Sequence, residues 1–239
     1  MTQDIWIGIE VTADQAIGWR FEGTTPQGQA KAATAAEVTR HLGAAPTLIV
    51  QDDTAGPSVP AKALPASLPF TGLTQAKPLG YLDAAARLRI VGALWRRRNW
   101  DGVICLPMQH VTHWCQISAD EIVSFQSALT PHLAGLLGAA DHSHPDAVSD
   151  TMSRPEKIAL HLRSARLLQA GDMIMGHLLG AELAAMRPYW LGQQVLVIAD
   201  TDLYVTALAS QGVQVARTEP MQAASQGLVA LRTGTDHPK

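Results

Sequence analysis

The stretch from Val195 to Leu231 limits the fold more than any other part of the chain. Val195 to Ala199 is an apolar, β-branched run, Leu203 to Gln211 has helical spacing, Val213 to Ala216 is a second short apolar run, and Met221 to Leu231 is helical again. Strand, helix, strand, helix at these lengths implies a parallel β-α-β unit, since parallel neighbours need a long crossover and a helix is the usual one. An α/β protein is therefore expected.

The remaining segments fit that class. Ile5 to Ile9 and Ala16 to Phe21 read as a hairpin turning through Val11-Thr12-Ala13-Asp14, and Thr47 to Val50 as a short buried strand. Between Asp52 and Pro78 fall Pro57, Pro60, Pro65, Pro69 and Pro78, which predict an irregular connection. Leu82, Ala86, Ile90 and Leu94 mark one face of a helix reaching Trp95, with Arg87, Arg89 and then the arginines 96–98 toward its C-terminal end. The basic run could bind an anion, but is expected rather to complement the helix C-terminus and face solvent, since three adjacent arginines cannot share one helix face. Val103 to Leu106 and Trp114 to Ile117 form an antiparallel pair, followed by a helix from about Asp120 to Leu137. Gly138 to Arg154 is expected as a polar loop ended by Pro155, which opens a helix to Gly171, with Asp172 capping another that reaches about Trp190. The tail from Thr233 to Lys239 is polar.

Composition excludes several classes of function. With 239 residues, 47% of them hydrophobic, the chain can bury one large core or two small ones. A formal net charge of -3 provides no overall attraction to nucleic acid or to an anionic membrane. Cys105 and Cys115 are too few for a disulfide scaffold and are expected as reduced core residues; the N-terminus lacks a basic leader region, and a cytoplasmic protein is expected. Asp141, His142, His144 and Asp146 match no zinc spacing and read as a solvated loop, so no metal set is expected there. His110, His113 and His132 would make an anion or metal site if the strand turn and the next helix met, and are otherwise separate polar or core histidines. The six tryptophans are dispersed as core residues, and Glu182 is either a relic acid or a paired carboxylate in helix packing.

Several motifs are similar, in order, to those of the 2-keto-3-deoxygalactonokinases. They are Leu178-Leu179-Gly180-Ala181-Glu182 with Met186-Arg187, the run Phe125 to Leu133, and Leu106-Pro107 with His110. The resemblance implies an actin-like, ribonuclease-H-like α/β fold of two lobes, the first shortened and covering residues 1–98, the second 99–239 with a helical subdomain. It also implies phosphorylation of 2-dehydro-3-deoxygalactonate with ATP and Mg2+, if the chain is active. Glu10 is then the catalytic carboxylate that positions the metal, Thr12 and Thr201 face phosphate, and His110 and His132 contact the sugar acid.

The motifs depart from the family's where they carry chemistry. The family's I-D-W-G-S-T-N stands here as Ile9-Glu10-Val11-Thr12-Ala13-Asp14-Gln15, and its A-G-T-S-L as Ala199-Asp200-Thr201-Asp202-Leu203. Glycines that would let backbone N–H groups approach phosphate are replaced, and Asp14, Asp200 and Asp202 add negative charge. Asp200 or Asp202 is expected to cap the following helix. P-G-T-H stands as Pro107-Met108-Gln109-His110, T-G-E-L as Thr130-Pro131-His132-Leu133, and E-E-T-Q as Ala86-Arg87-Leu88-Arg89. The alternative expectation is accordingly a non-catalytic descendant acting as a small-ligand sensor or interaction module. Its partners would be a sugar acid or other small ligand, with a homodimer allowed and neither nucleic acid nor membrane.

Overall fold

A computed structural model describes residues 4–52, 56–97 and 99–234. The expectations for Arg98 and for the last five residues of the tail lie outside the described residues. The chain divides into two compact units. The first holds residues 1–100, 118–123 and 219–239, and the second 101–117 and 124–218. The first unit thus takes back the last segment of the chain, which a division into 1–98 and 99–239 did not provide for.

In the first unit, β1 (Ile5–Val11) and β2 (Ala16–Glu22) form the expected hairpin, and β3 (Thr25–Ala32) extends it. After α1 (Ala35–Leu42), β4 (Thr47–Val50) pairs parallel with β1, so the sheet order is β3-β2-β1-β4. The proline-rich stretch is largely irregular, with only β5 (Ala61–Lys62), β6 (Leu73–Gln75) and β7 (Gly80–Leu82) as short strands. The helix α2 (Ala84–Leu94) follows, capped by Asp83, whose Oδ1 accepts the Ala86 N–H at 2.7 Å.

The second unit begins with β8 (Gly102–Pro107) and its antiparallel partner β9 (Thr112–Ser118). Residues 121–128, expected as helix, form a strand instead, β10 (Glu121–Ala128). Ala119 and Asp120 both have positive φ, 49° and 65°, which suits a tight hairpin turn and returns the chain alongside β9. Pairing with that neighbour outweighs the weak helical spacing. Within the first unit, Glu121 and Ile122 pair with β5.

The helical part also differs in its boundaries. α3 (Thr130–Leu137) is short, and the expected loop at 138–154 contains a helix, α4 (Pro145–Ser153). Pro145 sits in its first turn, where no N–H is needed, and Ala147, Val148 and Thr151 supply its buried face. A 3-10 turn at Pro155–Lys157 leads to α5 (Ile158–Leu167) and then α6 (Gly171–Ala185). Asp172 lies inside the first turn of α6 rather than at its cap, which is Ala170 with no side-chain bond. Pro188 separates a short α7 (Arg187–Trp190) from α6.

The β-α-β unit is as expected. β11 (Gln194–Ile198) runs parallel to β8 and to β12 (Gln214–Thr218), with α8 (Leu203–Ala209) as the crossover, giving the order β12-β11-β8-β9-β10. Trp114, Leu179, Leu183, Trp190 and Val197 centre the core of this unit. α6 packs closely on α4 because Gly180 has no side chain; a Cβ there would lie 2.4 Å from the Val148 carbonyl oxygen.

The last helix, α9 (Pro220–Thr233), packs on α2 in the first unit. A Cβ on Gly92 would lie 1.8 Å from the Ala223 oxygen and one on Gly227 2.3 Å from the Leu88 oxygen, so the two helices meet backbone to backbone. Among the described residues no helix is long and apolar enough to cross a membrane.

Candidate functional site

Glu10 lies in the first unit, near the end of β1, with no solvent exposure. Both of its oxygens are taken: Arg89 Nε donates to Oε1 at 2.8 Å and a second guanidinium nitrogen to Oε2 at 2.8 Å. Burial pushes the carboxyl above its ordinary range against the pull of Arg89, whose hydrogen bonds and charge favour the ionised form. This two-point contact uses the planar fork of the guanidinium, which matches a carboxylate edge.

Thr12 closes the β1–β2 turn. Its N–H donates to the Gln15 carbonyl at 2.9 Å and its hydroxyl to the same oxygen at 3.1 Å, so neither donor points at a ligand. Asp14 is exposed in that turn. The arginines of α2 do not behave as one solvated cationic face. Arg96 is exposed and Arg97 donates to the Ala93 carbonyl at the helix end, as expected. Arg87, by contrast, is 2% exposed. It donates to the carbonyls of Ala63 at 2.9 Å, Thr71 at 2.8 Å and Lys62 at 2.8 Å, and lies 4.8 Å over the Phe70 ring. Burial draws its pKa down to about 10.

In the second unit Thr201 is exposed between β11 and α8. Asp202 occupies the cap position of α8 but makes no side-chain cap bond; its carboxylate pairs with Arg217 Nε at 3.1 Å. Arg217 also donates to the carbonyls of Ala199 and Asp200, each at 3.0 Å. An arginine from β12 thus holds the loop that carries Thr201.

The structure brings together two of the three strand-and-helix histidines. His110 in the β8–β9 turn and His132 in the first turn of α3 meet edge to face at 5.5 Å between ring centroids, both exposed. His113 is separate: it is buried, its Nδ1 lies 2.8 Å from Ser127 Oγ, and burial lowers its pKa to about 4. Glu182 is a paired carboxylate, accepting from Trp114 Nε1 at 2.7 Å and Tyr204 Oη at 3.1 Å. Burial pushes it up, while hydrogen bonds from Thr130, Trp114, Tyr204 and Thr112 hold it back. Asp141 and His142 form an exposed pair, and among the described residues no group of three or more His, Cys, Asp or Glu could hold a metal ion. Cys105 and Cys115 are free and buried.

Sequence reasoning did not foresee Arg89 and Arg217 as partners of the candidate site residues. The available signal was charge inside apolar runs: Glu10 in β1 and Arg89 in a helix with ten buried residues need counter-charges, and each meets the other. A further unforeseen cluster joins three helices of the second unit, where Thr151 Oγ1 lies 2.8 Å from Nδ1 of both His161 and His177.

The family model described as 2-keto-3-deoxy-galactonokinase matches residues 138–231. No curated protein matches the chain by sequence. Among solved structures, a Sinorhizobium meliloti protein provisionally assigned as a 2-dehydro-3-deoxygalactonokinase superposes with a TM-score of 0.80 at 18% identity, over 95% of this chain and 99% of that one. The activator of 2-hydroxyisocaproyl-CoA dehydratase from Clostridium difficile, with bound ADPNP, matches at 0.55 and 8% identity over 97% and 96%. Component A of the Acidaminococcus fermentans (R)-2-hydroxyglutaryl-CoA dehydratase matches at 0.50 and 8% over 96% and 97%. These likenesses establish the actin-like α/β fold.

Proposed function

We propose, from the premise that this chain is a relative of the 2-keto-3-deoxygalactonokinase family, that it is a non-catalytic member acting as a small-ligand sensor. The observation that carries this reading is the buried Glu10–Arg89 pair. A carboxylate that is to hold magnesium must present an oxygen to the ion, whereas Glu10 has no solvent exposure and each of its oxygens already accepts from an internal guanidinium. The residues for phosphate fit no better. Thr12 spends its donors on Gln15, and the loop with Thr201 carries two aspartates and is tied by Arg217. ATP and Mg2+ therefore do not fit the residues at these positions.

In this reading the partner is a sugar acid or other small ligand, a homodimer is allowed, and the compartment is the cytoplasm. The kinase reading has its own support in the family match over residues 138–231. Titration calorimetry with Mg-ATP and a coupled ADP-release assay on 2-dehydro-3-deoxygalactonate separate the two. At millimolar ligand we expect neither nucleotide binding nor turnover; turnover that disappears in Glu10→Gln would overturn the non-catalytic reading in favour of the kinase.

A further inference from the structure

At the other end of the first unit's sheet from Glu10 lies a cavity of about 460 Å3, within the usual size range of small-molecule sites. Its position follows from the register: Phe21 pairs with Trp6, whereas Ile17 pairs with Glu10. Four residues of strand, about 13 Å, separate the two ends. The lining joins an aromatic floor to one face of α9. Phe21 is fully buried and Trp95 is 6% exposed, so only their edges contribute.

The α9 face is the informative part. Ala223, Ala224, Gly227 and Leu228 turn inward and are buried, while Gln222, Ser225 and Gln226 line the cavity at the i, i+3, i+4 spacing of a single helical face. These three are polar but uncharged, with the apolar Val229 one turn further on, and they suit directional hydrogen bonding to the hydroxyls of a polyol. Among the described residues no side chain hydrogen-bonds the Gln222 or Gln226 amide. Among the described residues Arg96 supplies the only charge in the lining, and no carboxylate lies within ion-pair distance of it. No acidic residue is among the described residues of the lining.

We propose that this cavity is a binding site for a small polyol bearing one anionic group. Arg96 takes the anion through its planar fork, Gln222, Gln226 and Ser225 exchange hydrogen bonds with hydroxyls, and the Trp95 edge covers the apolar side of the carbon chain. A carboxylate and a phosphate monoester share this chemistry, and the test distinguishes them. Binding here is independent of whether Glu10 takes part in catalysis, because the two places share no residue.

Titration calorimetry with gluconate, glucose 6-phosphate and glucose tests the site. At least one of the two anions is expected to bind in the millimolar range or tighter, with glucose at least tenfold weaker, and the anion that binds identifies the charged group. Arg96→Gln, at an exposed position where the fold is retained, is expected to weaken the anion at least tenfold, and Gln226→Ala severalfold. The proposal is overturned if neither anion binds at 10-fold above millimolar concentration, if glucose binds as well as the anions, or if Arg96→Gln binds with unchanged affinity. Since Mg-ATP is absent from these titrations, their failure leaves the non-catalytic reading intact, and detection of kinase turnover leaves this one intact.

Discussion

Replacing Arg89 with methionine keeps the length and apolar stem of the side chain but leaves Glu10 buried without its cation. Removing one partner of a buried pair costs about 3 to 5 kcal/mol, mainly because the surviving charge is desolvated and unpaired. For a chain of this size each kcal/mol moves the midpoint by about 2 to 4 °C, so thermal unfolding at pH 7 is expected to drop by about 10 °C. The pH dependence identifies the cause. Burial already raises the Glu10 carboxyl, and without Arg89 the rise is larger. A group whose folded pKa is raised binds protons more readily in the folded state, so its favourable contribution is complete below the ordinary value of 4.5 and is lost as pH climbs through the raised folded value. The deficit of Arg89→Met against the wild type is therefore expected to shrink as pH falls toward 4.5, and unfolding curves in urea at several pH values measure it. The double variant Glu10→Met, Arg89→Met removes both charges and is expected to recover most of the loss. A deficit that does not vary with pH, or a double variant as unstable as the single, would refute the buried-pair account.

Other substitutions probe separate parts of the structure. Arg87→Met leaves the Ala63, Thr71 and Lys62 carbonyls without their donor, and Arg87→Lys is expected to restore little because an ammonium lacks the fork; both should lower the unfolding midpoint by several degrees in a thermal scan. Gly92→Val places carbon where the Ala223 oxygen lies 1.8 Å from an ideal Cβ, so α2 and α9 must separate, which circular dichroism and a lost cooperative transition would report. For His113, whose folded pKa is depressed to about 4, stability is expected to fall as pH drops from about 6.5 toward 4, by at most about 1.4 kcal/mol per pH unit, and its ring resonances should remain those of the neutral form at pH 5.

Much of the fold was legible in local pattern. The β1–β2 hairpin, β4, α2, the β8–β9 pair and the β-α-β unit follow from apolar periodicity and turn residues, quantities that a few neighbouring residues set. The misread segments were those whose conformation depends on a distant neighbour. Residues 121–128 became strand by pairing with β9, and 145–153 became helix by packing against α6, a contact that needs the small side of Gly180. The return of α9 to the first unit depends likewise on Gly92 and Gly227 meeting across the chain.

For the candidate site the division is sharper. The resemblance implied metal and phosphate roles for Glu10, Thr12 and Thr201, and the residues themselves showed Asp14, Asp200 and Asp202 beside them and two arginines interrupting α2. They could not establish what each charge faces. A carboxylate free to bind a cation and one clasped by a guanidinium 79 residues away have the same local sequence. Which of them Glu10 is depends on desolvation and on the geometry that sets Arg89 against it, and those arise only when packing on α9 and β4 brings α2 within reach of the end of β1.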